Sequence, residues 1–381
     1  MSEQTSGKLV PILRNSGKKE WRQTLRRASR YLAIRAVVVA LTVLVGIYAA
    51  IWVSNLGGYA DEQRRVELDY NVRMGLYMGA GSWLRTLSQE EQIAVVDEAV
   101  AAAFVAADLD KPFILRSFRY FRDAFTLRLG EARYLDDRHG SKMVLDILAE
   151  KLPFTLLIFG LANVITFFGG LFIASMLSRR YGTFVDRIVT LLIPLFAAPP
   201  WFHGIFLIVI FASFFKILPF GGIVGIPLPK TQIGYALDFL KHMILPVTAC
   251  VLGALPMAIY TNRSLFLIHS TEDYVELAKA KGLSAHRLQK RYILKPVLPT
   301  IITNFILVAI VAWQGIILTE SVFSWPGLGT LLIGAIRLHE VAVVIGVVTL
   351  FGYLLGVSVL ILDLVYVLVD PRVSLSAGGA R

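Results

Sequence analysis

Charge and cysteine are both scarce in this chain. Asp, Glu, Lys and Arg make up 17% of its 381 residues, where an ordinary soluble domain carries about 25%. The single cysteine, Cys250, excludes an intramolecular disulfide framework and a Cys-rich metal site. No Gly-x4-Gly-Lys-Ser/Thr string occurs: Gly7-Lys8-Leu9 and Gly17-Lys18-Lys19 lack the leading Gly and the hydroxyl residue. No phosphate cradle is therefore expected in the chain itself. His139, His203, His242, His269, His286 and His339 are scattered, and none forms His-Glu-x-x-His. A Gly-x-Ser-x-Gly nucleophile turn is missing as well. No catalytic residue, metal ligand set or cofactor of the chain's own is assigned, and the chain reads as a non-enzyme.

Apolar residues are what it has in excess. The set AVILMFWYC reaches 56% and mean hydropathy is +0.65. That excludes a disordered or collagen-like chain and most soluble enzymes. The net charge of +11 is compatible with nucleic-acid binding or with basic loops on one side of a membrane. The positions of the charges decide between them.

A membrane-spanning helix needs about 20 mostly apolar residues. Six stretches qualify: 31–53, 153–177, 188–215, 243–260, 297–319 and 341–369. The first holds only Arg35, placed where its head can snorkel to lipid phosphates. The third is interrupted by Pro194, Pro199 and Pro200, and the fourth holds Pro246 and Pro256. The first apolar run is too long for a signal peptide and no convincing small-residue cleavage site follows it, so an uncleaved signal-anchor is expected.

Charge gives the orientation. Segments 1–35, 178–187, 263–295 and 370–381 together hold 21 Lys/Arg against 7 Asp/Glu. Segment 54–152 holds 13 against 16. The positive-inside rule then puts both termini in the cytoplasm. The expected division is a cytoplasmic segment 1–30, a span 31–53, an extracytoplasmic helical lobe 54–152, a core 153–369 with a cytoplasmic loop 262–296, and a cytoplasmic tail 370–381.

Within the lobe, Ser88-Gln-Glu-Glu91 reads as a capping box opening a helix to about residue 107. Ile93, Val96, Val100 and Phe104 give it an apolar face. Pro112 follows, then a second amphipathic stretch over 113–125 with Phe118, Tyr120, Phe121 and Phe125. The lobe is expected to be either a cap packed on the bundle or a docking surface or entrance lining.

The loop between the fourth and fifth spans is more informative. In it Tyr274, Leu277, Ala278 and Lys281 share one helical face. Ser270 with Asp273 resembles an N-cap pair, Gly282 fits a left-handed stop, and Ser284 can open a second helix that Pro296 limits. The spacing predicts helix, tight turn, helix. Ala278 and Ala280 would let another surface approach closely. An amphipathic helix resting on anionic lipid is the competing reading.

These residues carry a resemblance. Glu276-Leu277-Ala278 followed by Gly282 is similar to the "EAA…G" loop of binding-protein-dependent ABC-importer permeases. The string Asp273-Tyr-Val-Glu-Leu-Ala-Lys-Ala-Lys-Gly-Leu283 resembles the dipeptide/oligopeptide/nickel branch of that family. Glu150-Lys-Leu-Pro153 with Thr155 and Leu156, Glu320-Ser-Val-Phe-Ser-Trp-Pro-Gly-Leu-Gly329, Asp363-Leu-Val-Tyr366 and Asp370-Pro-Arg372 are similar to further family segments. The likeness covers about residues 88–372. His339-Glu-Val-Ala342, Ile345 and Val359 depart from it, which weakens any carry-over of substrate identity.

The resemblance implies an all-α polytopic membrane protein with six transmembrane helices of the type I ABC-importer permease kind, and a helical extracytoplasmic insertion between the first two. It implies a bacterial or archaeal plasma (inner) membrane. The implied partners are a second homologous permease, two ATPase subunits that hold ATP and Mg, and an extracytoplasmic solute-binding protein. No nucleic-acid partner is implied. It also implies that loop 270–295 couples to the ATPases, with Tyr274, Glu276, Leu277, Ala278, Lys281 and Gly282 at the contact.

Other residues remain to be weighed. Asn163, Asn304 and Gln314 are polar groups within spans, and Pro199 and Pro200 free backbone carbonyls in the third. All five are pathway candidates, with interhelical hydrogen bonding the alternative for the amides. Glu320, Trp325, Pro326, Gly327 and Gly329 lie just outside the fifth span, as an external gate, a binding-protein contact or a membrane-interface anchor. Asp363 is the one acid within a span and is expected to pair with a basic group of the cytoplasmic loops. An ion-driven transporter or channel is the alternative function, but neither an internal repeat nor a deep acid supports it.

Overall fold

The computed structural model describes residues 12–79, 84–196 and 198–369. The expected tail 370–381 and the start of segment 1–30 lie outside the described residues. Among the described residues the protein is helical, with a single isolated β-bridge between Glu131 and Met143. The helices are α1 (Ile12–Ser54), α2 (Tyr59–Gly79), α3 (Gln89–Ala106), α4 (Phe113–Phe125), α5 (Val144–Arg179), α6 (Phe184–Leu192), α7 (Pro200–Leu207), α8 (Gln232–Ser270), α9 (Asp273–Ala280), α10 (Ala285–Arg287), α11 (Lys295–Val322), α12 (Leu328–Arg337) and α13 (Val341–Val369). Among the described residues, five helical stretches are long and apolar enough to cross a membrane: Ser29–Ser54, Val144–Arg179, Gln232–Ser270, Ala285–Ile310 and Val341–Val365.

The expected third span, 188–215, is not one helix. It is α6, a 3₁₀ turn at Ile193–Phe196, then α7 and a π-helical turn at Ile208–Phe214. Pro200 explains the break: it has no N–H to give the Phe196 carbonyl one turn earlier. His203 Nε2 lies 3.3 Å from that carbonyl and, in the tautomer with its proton there, donates the missing bond. A buried histidine thus has a structural role here.

Pro296 departs from expectation in the opposite sense. It does not limit a cytoplasmic helix. The chain runs as α10, a π-helical turn at Leu288–Leu294 and α11 without interruption, and Pro296 falls in the first turn of α11. The proline has no N–H to give a carbonyl of the preceding turn, and the chain takes its π-helical turn at Leu288–Leu294, just before it.

The chain divides into two compact units. The first comprises residues up to 41, 151–333 and from 354 onward. Its cores are built on Ile158, Met243, Ile316 and Trp325, on Ala174, Phe266, Val275 and Val297, and on Leu207, Leu245, Ala249 and Phe323. Small residues set the closest approaches. A Cβ on Gly170 would sit 3.1 Å from that of Ala258, bringing α5 against α8, and Gly253 of α8 lies under the Pro200 ring. Such contacts suit helices in lipid, where association rests on close van der Waals packing.

The second unit comprises 42–150 and 334–353. It is therefore larger than the expected lobe 54–152, because Ile47 and Ile51 of α1 and Ile345 and Tyr353 of α13 share a core with Ala124 and Phe121 of α4. A second core joins Leu84, Val96 and Val100 with Val72 and Leu76 of α2. Ser88 caps α3 with the full reciprocal bonding to Glu91. Ile93, expected on the apolar face of α3, is exposed.

Candidate functional site

The region after the fifth apolar stretch forms a buried hydrogen-bonded knot. Glu320, in the last turn of α11, is fully buried. Its carboxyl accepts from Thr155 Oγ1 at 2.7 Å, from Gly329 N at 2.7 Å and from Thr330 N at 3.3 Å. Thr155 Oγ1 in turn accepts from Leu328 N at 2.8 Å. The N-terminal amides of α12 at Gly329 and Thr330 are thus satisfied by the Glu320 carboxyl group.

Trp325 locks the same turn. Its backbone N donates to Glu320 O at 2.8 Å, and its Nε1 donates to Phe154 O at 3.0 Å. Its ring packs against Phe154 and Phe239. Gly327 and Gly329 are required by space: a Cβ on Gly327 would run into the Glu320 carboxyl, and one on Gly329 into the Ile317 backbone.

The structure brings Glu320, Trp325, Gly327 and Gly329 together as expected, but buries all four, leaving Pro326 partly exposed. Trp325 is therefore no membrane-interface anchor, because its ring and indole N–H are both spent inside the chain. In this conformation the four buried residues offer no surface to a separate binding protein.

The loop between α8 and α11 forms the second candidate site. Helix α9 begins at Asp273 with Glu272 at the N-cap position, not Ser270, which still belongs to α8 and bonds Leu267 O. It ends in a Schellman arrangement: Gly282 N donates to Lys279 O at 2.9 Å and Leu283 N to Ala278 O at 3.3 Å. Gly282 has φ +74°, the left-handed stop its sequence position predicts. Ser284 does sit at the N-cap of α10, although its side chain makes no cap bond.

Only part of the expected face is free. Val275 and Ala278 are buried, Val275 among Phe266, Ile293 and Val297. Ala278 is therefore covered by its own chain and is not open to close approach by another. Tyr274, Glu276, Leu277 and Lys281 are exposed, so α9 is pinned on one side and shows an apolar pair flanked by charge on the other.

A buried ion pair lies near this loop, and no local pattern announced it. Arg263 donates from Nε and an Nη to both carboxylate oxygens of Asp186, at 2.6 and 2.7 Å. Gly182 N adds a third bond at 3.0 Å. The Arg263 guanidinium, helped by the Gly182 amide, holds the Asp186 carboxyl below the ordinary carboxylate range against the opposing effect of burial. The pair ties the first turn of α6 to α8, the helix that precedes α9.

The remaining candidates are dispersed. Asn163 Nδ2 donates to Phe159 O of its own helix at 2.8 Å. Pro199 and Pro200 open α7. Asn304 is partly buried in α11, and the side chain of Gln314 lies outside the described residues. Asp363 is buried and pairs with Arg35 of α1 at 3.3 Å, with Tyr31 donating at 3.1 Å. Its partner comes from the first span and not from a cytoplasmic loop. Among the described residues no cluster of His, Cys, Asp and Glu is placed to hold a metal ion.

A helical, multi-pass membrane architecture with a short helix between two apolar stretches is the class these features define. Comparison with known proteins narrows it. The family model of binding-protein-dependent transport system inner membrane components matches residues 167–375. A di/tripeptide transport system permease protein of Pseudomonas aeruginosa is 30% identical over 290 residues, covering 72% of this chain and 84% of that one. A probable D,D-dipeptide transport system permease protein of Escherichia coli is 31% identical over 289 residues, covering 71% and 83%. The Escherichia coli dipeptide transport system permease protein is 32% identical over 214 residues, covering 51% and 62%. The chain belongs to the family of binding-protein-dependent transport system inner membrane components, the membrane permeases of ABC importers.

Proposed function

We propose that this chain forms half of the translocation pathway for a peptide-like solute in an ATP-driven importer. A second homologous permease completes the pathway, two ATPase subunits carrying ATP and Mg drive it, and an extracytoplasmic binding protein delivers the solute. The relatives' names support the peptide class. Six crossings are proposed, with α6 and α7 and their flanking turns making the third, and both termini in the cytoplasm on the charge distribution.

The observation that carries the reading is α9. It is fixed to its own bundle by buried Val275 and Ala278 and stopped by Gly282, while Tyr274, Glu276, Leu277 and Lys281 face outward. Such a helix suits a socket on a partner. When the ATPases close on ATP, a push on the outer face passes through Val275 to Phe266 of α8 and Val297 and Ile301 of α11, which share its core. The spans then rock between inward and outward opening. In this scheme the Glu320 to Gly329 knot stiffens the far end of α11 as an external gate. Asn163, Pro199, Pro200, Asn304 and Gln314 are the proposed pathway contributors.

The test uses the reconstituted four-subunit complex with its binding protein. Glu276→Lys and Leu277→Asp are each expected to abolish substrate-stimulated ATP hydrolysis and uptake while the complex still assembles in the membrane. Unchanged uptake in both would refute the coupling role of α9.

A further inference from the structure

Helix α4 turns Arg116, 5% exposed, and Ser117, 0% exposed, toward the protein together with buried Ala124 and the partly buried Phe113, Tyr120 and Phe121. Arg116 donates to both oxygens of Asp61 at 2.6 Å, and Ser117 Oγ lies 3.0 Å from Tyr48 Oη. The side it turns outward carries Ile114, Leu115 and Phe118 at 57%, 61% and 60% exposure, with Phe125 also exposed. Arg119, half-exposed, stands at the margin of that apolar arc and pairs with Asp108, and Arg122, exposed, rises within it and pairs with Asp123. A soluble helix buries one apolar face, whereas α4 has a second one that nothing in the chain covers. An uncovered apolar arc of this size is stable where the surroundings are themselves apolar, and the arginine stems can lie along such a surface with their heads at its edge.

A second observation says which surroundings these are. The apolar arc is continuous with the outward face of α1 at the end of its apolar stretch. Tyr48 of α1 packs on Phe118 with ring centroids 5.8 Å apart, and Trp52 packs edge-on against Phe113 at 5.2 Å. Val45, Trp52 and Val53 on the same part of α1 are exposed. Tyr and Trp at the end of a span mark the level of the lipid headgroups.

We infer that α4 is an interfacial helix, seated with Ile114, Leu115, Phe118 and Phe125 in the phospholipid leaflet that surrounds the end of α1 where Tyr48 and Trp52 lie. Under the orientation proposed above this is the outer leaflet, but the inference itself does not rest on that orientation. Its occupant is phospholipid, with acyl chains against the apolar arc. The lobe is thereby held at membrane level through a contact separate from the core packing of α3 with α2.

The test is made on the assembled complex in phosphatidylcholine/phosphatidylglycerol nanodiscs. Cys250, the single native thiol, is replaced by Ala, and nitroxide labels are placed one at a time through Ile114→Cys, Leu115→Cys and Phe118→Cys. Glu98→Cys, exposed on α3, is the water-facing control. The ratio of O2 to Ni-EDDA collision rates is expected to exceed unity at all three α4 positions and to fall below unity at Glu98. A ratio below unity on α4 overturns the inference, since the face is then wet. Low access to both reagents overturns it as well, because a protein partner then covers the face. A parallel measurement needs no substitution: a phospholipid with a photoactivatable acyl chain is expected to label the peptide holding residues 113–125. Labelling of α1 without that peptide overturns the inference.

Discussion

Replacing Asp186 by Asn leaves the Arg263 guanidinium buried without its counter-charge. The pair is bidentate, at 2.6 and 2.7 Å, and both side chains are nearly shielded from solvent. Removing one partner of a buried pair costs about 3–5 kcal/mol. This pair lies just beneath the surface and not at the centre of a core, so the lower end, about 3 kcal/mol, is expected. At about 2 °C per kcal/mol for a chain of this size, Tm falls by about 6 °C. Arg263→Met should cost a similar amount by stranding Asp186. The double variant Asp186→Leu with Arg263→Met strands neither charge and is expected to lose less than either single change, about 1 kcal/mol. The exposed pair Asp69–Arg73 is the control, and Asp69→Asn should shift Tm by no more than about 1 kcal/mol equivalent. Melts followed by tryptophan fluorescence at fixed scan rate in one detergent read these differences. The pH dependence has a definite sign. A carboxyl depressed in the folded state contributes fully above its unfolded pKa, about 3.9, and loses that contribution as pH falls toward the folded value. The gap between wild type and Asp186→Asn is therefore constant from about pH 5 to pH 8 and closes only below about pH 4. A double variant that loses the sum of the singles, or an Asp186→Asn shift no larger than that of Asp69→Asn, would refute the reasoning.

Glu320→Ala leaves the Gly329 and Thr330 amides without their side-chain acceptor and is expected to cost about 2–3 kcal/mol, measured in the same melts, while Thr155→Val in that background adds a further loss of about 1 kcal/mol or more, because Leu328 N then loses its acceptor too. Gly282→Ala meets no steric neighbour, so its cost is conformational alone, about 1 kcal/mol for a left-handed residue. Gly282→Asn should recover part of it, with uptake by proteoliposomes following the same order. Ser88→Ala removes the hydroxyl half of the capping box and leaves the residue 88 N–H donating to the Glu91 carboxylate, and it should destabilise α3 by about 1 kcal/mol, seen as faster amide exchange in residues 89–92 with transport unchanged.

Much of the local structure could be read from the chain because its signals are local. Ser88 and Glu91 announced α3, and the bounds 113–125 of α4 follow from Pro112 and the amphipathic spacing after it. Gly282 announced the end of α9 for the same reason. What escaped has no local signature. Helix α2 carries charge of both signs around its surface, and the glycines near its ends, Gly57, Gly58 and Gly79, suggest a loop. Its helicity rests on packing against α3, which buries Val72 and Leu76 with Val96 and Val100. Asp186 and Arg263 meet across 77 residues, and nothing in either neighbourhood names the other. Glu320 was singled out by its position near Trp325, yet its partner Thr155 lies 165 residues away. Spacing could not tell a surface contact from an internal knot.

The prolines show why propensity alone misjudges such a chain. Pro153, Pro246, Pro256 and Pro299 lie inside helices, although each ranks about 3 kcal/mol below alanine there in water. In a bilayer the comparison changes, because abandoning the helix would free many backbone groups at several kcal/mol each, while one proline frees only its own. A lone proline is therefore absorbed. Pro194, Pro199 and Pro200 fall within seven residues, so the lost bonds accumulate over two turns and the helix gives way between α6 and α7. Even there the deficit is partly repaired, by His203 facing the Phe196 carbonyl that Pro200 cannot serve. The density of prolines, and not their presence, marks where the backbone of this permease departs from a continuous helix. The same density leaves a break whose remaining polar groups must find protein or water, which is the physical reason for proposing Pro199 and Pro200 as pathway contributors.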